Sequence, residues 1–583
     1  MEIFVEAVRN SRYKVVSEEK AGGATYTPRT LADFVAEQIR RTAKIKRGGG
    51  TIKVLDPAIG DGELLLSLLA QLVAQGVEVI EVHGFETDVR ALNIATARIK
   101  QHFPKVGLHL AHGNFLDFVL DQMQPHDIGG LFEKVDVAPS YDLIIANPPY
   151  VRTQIMGAEQ AQLLASQFGL AGRVDLYYAF IVGMAHVLKP GGIGGIIVSN
   201  RFMTTKSGGA VRQSIREYFN VLHVWDLGDT KLFEAAVLPA VLLVEKHEGR
   251  ARRESAGFTS IYATNDAPTQ QTTDVISALR CDGVVEIEDG RRFMVTNGTL
   301  DISASAEAVW RVATAASDGW LSTVDAHTWR RFGDIGKIRV GVKTCADKVF
   351  IRTDWHEMPA ALRPELLRPL TTHHIARRFR AGAAKKTRHI VYPHESVNGQ
   401  RRTVDLVAYP QTAAYFEQHR STLESRTYVI EAGRQWFEIW VPQDPASWDA
   451  PKLVFRDISE EPTFWLDLEG SIVNGDCYWL TSASPEDTDC LWLAAAVANS
   501  SFIEAFYDHS FNNKLYAGRR RFITQYVERF PLPNPALPSS RTIIALAKQI
   551  YETIGTGEAG ALSKQLNKLV WEAFGVQVKE VAR

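Results

Sequence analysis

The sequence predicts an α/β protein whose first half is a doubly wound, mostly parallel sheet. Between about residues 50 and 246, short β-rich apolar runs alternate with amphipathic stretches of helical period. The runs are apolar nearly throughout, as strands covered on both faces must be. Glycine or proline turns follow several of them directly. At 583 residues the chain is also too long for one core, and roughly 100–200 residues per domain implies two to four domains or subdomains.

The candidate strands, in order, are Thr51–Asp56, Glu81–Glu86, Leu108–His112, Tyr141–Asn147, Gly192–Ser199, Val221–Leu227 and Ala240–Lys246. Leu64–Gln75, Val89–His102 and Leu176–Leu188 read as helices between them. Only Gly228 to Pro239 joins the last two strands, without a convincing crossover helix, so an antiparallel hairpin is expected there. The charged segment Lys246–Glu254 then breaks the pattern. Beyond it Trp, Tyr, Arg and Pro abound, and Asp289-Gly290 and Asn474-Gly475 signal turns, which fits a mixed α/β domain with irregular loops. Pro531, Pro533, Pro535 and Pro538 mark a linker, and Ile543–Phe574 is helical by pattern. The expected domains are therefore 1–250, 251–535 and a helical segment at 536–583.

Composition narrows the class. With 45% hydrophobic and 23% charged residues, a largely disordered or collagen-like chain is excluded. No run of about 18 apolar residues offers a membrane span, and Met1–Lys20 lacks the apolar core of a signal peptide. Cys281, Cys345, Cys477 and Cys490 lie far apart with no Cys-x-x-Cys pair, which predicts a reducing cytoplasm and no metal site.

Three motifs carry the chemistry. Asp56-Pro57-Ala58-Ile59-Gly60-Asp61-Gly62 links a strand to a helix, with glycines that let a ligand approach the backbone. It is neither G-x-G-x-x-G nor a P-loop, and its aspartates suit an amino-bearing ligand better than a phosphate. Glu86, in Gly84-Phe85-Glu86-Thr87-Asp88, ends the next strand, where a carboxylate can accept both hydroxyls of a ribose. Together these favour an adenosine-containing cofactor. The third motif is Asn147-Pro148-Pro149-Tyr150, directly after an apolar strand. Its prolines stiffen the turn. An amide, the Pro148 carbonyl and an aromatic ring then offer two acceptors beside a flat face, which suits a planar base bearing an exocyclic amino group.

These motifs, in this order, resemble the gamma-class N6-adenine DNA methyltransferases, the TaqI-type enzymes of restriction–modification systems. Thr25-Tyr26-Thr27-Pro28 resembles that family's N-terminal motif, and the likeness is specific over residues 24–246. It extends more loosely through Val340-Gly341-Val342-Lys343-Thr344 and Asn499-Ser500-Ser501. The resemblance implies a seven-stranded Rossmann-like methyltransferase domain followed by a mixed α/β target recognition domain. It also implies S-adenosylmethionine as cofactor, with S-adenosylhomocysteine as product, and double-stranded DNA as partner. Tyr26, Thr27 and Pro28 would flank the methionine part, Asp56 its amino group, and Ala58 and Gly60 would line the loop. Glu86 would hold the ribose and Thr87 would pack on the adenine. Asn114-Phe115 stands where the family has Asp-Phe reading the adenine edge; the amide oxygen of Asn114 can still accept there. Asn147, Pro148 and Tyr150 would be catalytic, and Phe233 falls where the family places a second aromatic against the target base.

A base in a duplex cannot reach such a pocket and must be flipped out. The surface that grips the duplex is expected in the second half. Residues 330–402 hold 17 Lys and Arg against 6 Asp and Glu, a local excess of 11 in a chain of net charge −2. Arg377, Arg378, Arg380, Lys385, Lys386 and Arg388 are its densest part, and Arg519-Arg520-Arg521 is a second cluster. A fused nuclease is not expected, because only about 24 residues precede the Tyr26 motif; a separate cognate restriction endonuclease is the corresponding partner. The rival readings keep the fold and change the acceptor to RNA or protein glutamine, or make the chain an inactive DNA-specificity protein.

Overall fold

The computed structural model describes residues 27–45, 50–123, 140–151, 158–170, 175–232, 238–247, 249, 255–302, 309–383, 387–482, 488–511 and 519–577. The chain forms two compact units, the first running to Thr314 and the second beginning at Ala315.

In the first unit the elements alternate as expected: α1 (Arg29–Thr42), β1 (Ile52–Asp56), α2 (Glu63–Ala74), β2 (Ile80–Glu86), α3 (Val89–His102), β3 (Gly107–His112), α4 (Phe115–Met123), β4 (Tyr141–Ala146), α5 (Ala158–Gln167), α6 (Leu176–Val187), β5 (Leu188–Ser199), α7 (Gly209–Tyr218), β6 (Phe219–Asp226) and β7 (Pro239–Lys246). The strand order is β3-β2-β1-β4-β5-β7-β6. β1 pairs in parallel with both β2 and β4, and β4 with β5. β7 runs antiparallel between β5 and β6, so the expected final hairpin forms. Alternate side chains of each strand feed two cores. Val54, Leu143 and Ile145 pack with α1, α2 and α3, while Leu55, Ile144 and Ile196 pack with α4, α6 and α7. Burial on both faces is why these strands are apolar throughout. The protein is thus a Rossmann-like α/β fold with a second, mixed α/β unit.

Two boundaries differ from the sequence reading. The first unit does not end at 250. β8 (Gly257–Ala263) pairs in parallel with β6, and β9 (Gln270–Thr272), β10 (Gly283–Ile287), β11 (Arg292–Asp301) and β12 (Arg311–Ala313) continue the sheet to twelve strands. The charged break at Lys246–Glu254 is a connection within one sheet, because β6 has an open edge that β8 covers. Nor is 536–583 a separate segment. Helices Pro538–Thr553 and Gly557–Ala573 pack in the second unit, where Trp571 Nε1 donates to Ser501 Oγ at 2.9 Å and Phe574 stacks on Phe502 at 4.2 Å. The presumed proline linker includes a strand, Pro531–Leu532, paired with Arg330–Arg331. Amphipathic helices must bury their apolar stripe, and this unit supplies the surface.

The second unit has its own core around Trp448, Trp465 and Trp479. Its five-stranded sheet is built on Lys452–Arg456, flanked by Phe464–Asp467 and Cys477–Thr481. No single described helix is long and apolar enough to cross a membrane.

α1 lies so close to β5 that a Cβ on Gly195 would stand 2.7 Å from Ile39 Cδ1 and 2.8 Å from Val35 Cγ1. Gly195→Ala is therefore expected to cost about 1–3 kcal/mol through overpacking, lowering the urea midpoint without altering the fold. An unchanged midpoint would show that α1 can shift freely.

Candidate functional site

Polar residues gather where the strands of the first sheet end. A strand covered on both faces can present polar groups to a ligand only at its ends, and the carboxyl ends of an open α/β sheet form its crevice. Asp56 ends β1, Glu86 ends β2, Asn147 follows β4, Asn200 follows β5 and Asp226 ends β6.

Asp56 is fully buried. Its Oδ1 accepts from Ala58 N at 3.0 Å, but its Oδ2 has no partner among the described residues. Burial is the main cause that pushes its carboxyl up to about 7; the Ala58 N–H opposes the shift and the charge of Glu86 adds to it. A buried carboxylate with an open oxygen is costly unless a donor, best a cationic one, meets it. Glu86 is already oriented. Oε2 accepts from Gly60 N at 2.9 Å, and Oε1 from Thr87 N and Asp88 N at 2.8 and 2.9 Å. The loop between these acids is tight: Gly60 and Gly62 have φ of 56° and 85°, a region that favours glycine. Thr87 is exposed beside it.

Asn114 caps α4, its Oδ1 accepting from Leu116 N at 3.0 Å. The neighbouring Phe115 is only 1% exposed, its ring packed between Phe85 and Phe180. The Phe115 side chain belongs to the core, so that position offers a ligand its main chain. Pro28 caps α1, and its carbonyl accepts from Leu31 N and Ala32 N at 3.0 Å. Asn147 is held at both ends of its amide: Nδ2 donates to Thr27 Oγ1 at 3.0 Å, and Oδ1 accepts from the Tyr150 hydroxyl at 2.9 Å. The N-terminal motif thus orients the Asn-Pro-Pro-Tyr motif 120 residues away. Pro148 is buried, and the Tyr150 ring meets Tyr177 edge-on at 6.1 Å. Tyr26 and Phe233 lie outside the described residues.

Sequence reading missed one group. Asp226 is fully buried and accepts from Tyr262 OH at 2.7 Å, Asn200 Nδ2 at 3.0 Å and Gly228 N at 3.2 Å. Burial raises its carboxyl to about 6 against these hydrogen bonds. The signal was available: both Asn200 and Asp226 stand at the end of an apolar strand, as Asp56, Glu86 and Asn147 do. Tyr262 was not findable, because it enters from the strand beyond the expected boundary.

Comparisons with known proteins give the family. A family model described as Eco57I restriction-modification methylase matches residues 90–233, and one described as a TaqI-like C-terminal specificity domain matches 404–532. The type II methyltransferase M.BanIII of Aneurinibacillus aneurinilyticus is 36% identical over 585 residues, covering 97% of this chain and 99% of that protein. The chain belongs to the type II restriction–modification methylases. Its likeness to M.XhoI of Xanthomonas vasicola is 25% identity over 96% of this chain and 98% of the relative. Among solved structures, the cryo-EM structure of the DrdV–DNA complex aligns with a TM-score of 0.51 and 12% identity, over 96% of this chain and 62% of that one.

In this methylase the second unit places the expected basic residues unequally. Arg520 is bound to Asp508 by two 2.8 Å hydrogen bonds, its side chain only 12% exposed. Arg521 pairs with Asp457 at 3.0 Å and Arg519 with Glu460 at 3.7 Å. The cluster expected at 519–521 is thus divided: Arg520 and Arg521 are engaged by Asp508 and Asp457, whereas the Arg519–Glu460 pair is more than half exposed. Arg378 likewise meets Glu461 at 3.0 Å and Glu504 at 3.7 Å, and Arg380 lies over the Tyr551 ring at 5.0 Å. Arg377 and Arg388 have no carboxylate partner among the described residues, and Lys385 and Lys386 lie outside those residues.

Tyr262→Phe removes the donor to Asp226 Oδ2 and leaves a buried acceptor unmet, an expected loss of about 1–3 kcal/mol. The loss should be larger at pH 8, where Asp226 is charged, than at pH 5, where it is protonated. Equal urea shifts at both pH values would show that the carboxylate does not depend on this hydroxyl.

Proposed function

We propose that this methylase transfers a methyl group from S-adenosylmethionine to N6 of an adenine flipped out of duplex DNA. The observation that carries the reading is the Asn147 amide, fixed by Thr27 at the carboxyl edge of the sheet that also carries Asp56 and Glu86. The residues fit the cofactor. The open oxygen of buried Asp56 suits an ammonium group, and Glu86, held by Gly60 N, presents a carboxylate suited to vicinal hydroxyls. Ala58 and Gly60 would line the loop between them, Thr87 and Asn114 would serve the adenine, and Thr27 and Pro28 the methionine side. When bound, the cofactor supplies an electrophilic methyl on a sulfonium.

The chain's own residues do the rest. An adenine amino nitrogen is a poor nucleophile because its lone pair is delocalised into the ring. Asn147 Oδ1 and the Pro148 carbonyl accept its two hydrogens, which draws the nitrogen towards tetrahedral geometry and frees the lone pair. For this the Tyr150 hydroxyl must release Asn147 Oδ1, which it holds in the present structure, while its ring offers a stacking face. Flipping costs a few kcal/mol and one base–aromatic stack returns about 1–3 kcal/mol, so Tyr150 needs help; Phe233 is the expected second ring. The second unit would grip the duplex, and a separate cognate endonuclease would cut unmethylated copies of the site.

The reading is tested by offering duplex DNA, RNA and protein acceptors with labelled cofactor; only duplex DNA should become labelled, at adenine. Asn147→Ala should abolish transfer while S-adenosylmethionine still binds within a few-fold of wild type. Activity within a few-fold of wild type would remove Asn147 from the mechanism.

The Asp56 shift gives a pH signature. An ammonium ligand selects the ionised carboxylate, whereas the free protein protonates it as pH falls through about 7. Cofactor affinity should therefore weaken below about pH 7, approaching tenfold per pH unit. Asp56→Asn should bind more weakly at pH 8 and lose this dependence. Calorimetry from pH 8 to pH 5 decides it, and a flat wild-type profile would place the ammonium elsewhere.

A further inference from the structure

Outside the methyl-transfer site, one cluster of titratable side chains in the second unit is built with unusual order. Strand Leu367–Thr371 pairs in parallel with Ile472–Val473 and antiparallel with His389–Val391. The parallel pairing makes both chains leave the sheet at the same end. One exits as Thr372-His373-His374 and the other as Asn474-Gly475-Asp476, tied by Asn474 N donating to Thr371 O at 2.9 Å. His373 Nδ1 bonds Asp476 Oδ2, and the two histidine rings lie 3.9 Å apart. Arg388, beside the third strand, donates from Nη1 to Thr372 Oγ1 at 3.3 Å. Arg456 faces Cys477 across the next pairing, next to Asp476. On the other side the backbone is so close that a Cβ on Gly475 would stand 2.9 Å from Lys343 Cγ. Lys343 is exposed, and His374 is exposed with part of its ring shielded by its neighbours.

The composition of this cluster differs from that of a phosphate grip. A phosphate is served by exposed, mobile cations, and a carboxylate in their midst would repel it. Here the carboxylate sits at the centre, fixes the ring and tautomer of His373, and mixes acceptors with donors. Arg388 keeps a guanidinium that no carboxylate occupies among the described residues, steadied by a hydroxyl. His374 is held below its ordinary pKa, by desolvation first and then by His373 and Arg388 against Asp476, and a neutral imidazole both donates and accepts. Donors and acceptors fixed on strand ends match the edge of a base pair, which is itself a fixed row of donors and acceptors.

We infer that the His373–His374–Arg388 cluster, set in place by Asp476, reads base edges of the duplex and so determines which site this methylase modifies. The Arg388 fork is suited to O6 and N7 of a guanine, with His374 on the neighbouring pair. The inference rests on the proposed DNA substrate.

The test uses the full chain. Methylation-sensitive sequencing of DNA from expressing cells defines the modified site. Anisotropy across a salt series then compares a duplex carrying that site with a scrambled one. Arg388→Lys keeps the charge but loses the planar fork. It should lower the preference for the site by about tenfold or more and leave the slope of log K against log salt unchanged. His374→Ala should relax methylation at one position of the site. Thermal melts confirm that each variant is folded; both side chains reach the surface, and Arg388→Gln substitutes if Arg388→Lys melts early. Preference retained in every folded variant would overturn the inference. So would equal weakening on both duplexes in Arg388→Gln with the slope reduced by about 0.9, the mark of a phosphate contact. If wild type methylates RNA or protein and no duplex, the substrate reading fails first and this one with it.

Discussion

A strand buried on both faces can show chemistry only where it ends. That constraint organises the whole first unit. Apolar side chains of β1, β4 and β5 fill two cores, so the polar groups the protein needs are displaced to one edge. There Asp56, Glu86, Asn147, Asn200 and Asp226 stand in a row set by strand order, although they are spread over 170 residues of chain. Strand spacing of about 4.8 Å sets how far apart neighbouring members of the row stand.

The site stores its readiness in two ways. Asp56 is kept buried with an oxygen unmet among the described residues, a cost that a cationic donor would relieve. Asn147 is kept satisfied, by Thr27 on one side and Tyr150 on the other, which fixes the orientation of its amide. The first arrangement favours binding, since relief of a buried charge adds to affinity. The second favours orientation; in the proposed reaction the Tyr150 hydroxyl would give way to the substrate amine.

The second unit shows how little a run of basic residues says by itself. Arg519, Arg520 and Arg521 look in sequence like a free patch, yet Glu460, Asp508 and Asp457 meet them in the fold. Arg388 looks no different, but the chain brings it the Thr372 hydroxyl, with no carboxylate partner among the described residues. Availability for a partner depends on what folds against each cation. Arg520, largely buried against Asp508, has little left to offer a phosphate, whereas an exposed pair such as Arg519–Glu460 is weak enough to exchange partners.

The sequence by itself determined the doubly wound sheet, its seven core strands, the final antiparallel hairpin, and the acids and amide at the strand ends. These are local signals: period, turn chemistry, and polar residues at fixed offsets from apolar runs. Tertiary structure decided what depends on remote partners. β8 joined the sheet because β6 had an open edge, which moved the boundary to Thr314 and brought Tyr262 to Asp226. The C-terminal helices joined the second unit because their apolar stripes required a surface, and Trp571 and Phe574 found one at Ser501 and Phe502. Phe115 went to the core because Phe85 and Phe180 enclose it. In each case the deciding group lies many residues away, and residue types along the chain do not record which distant surface will be left uncovered.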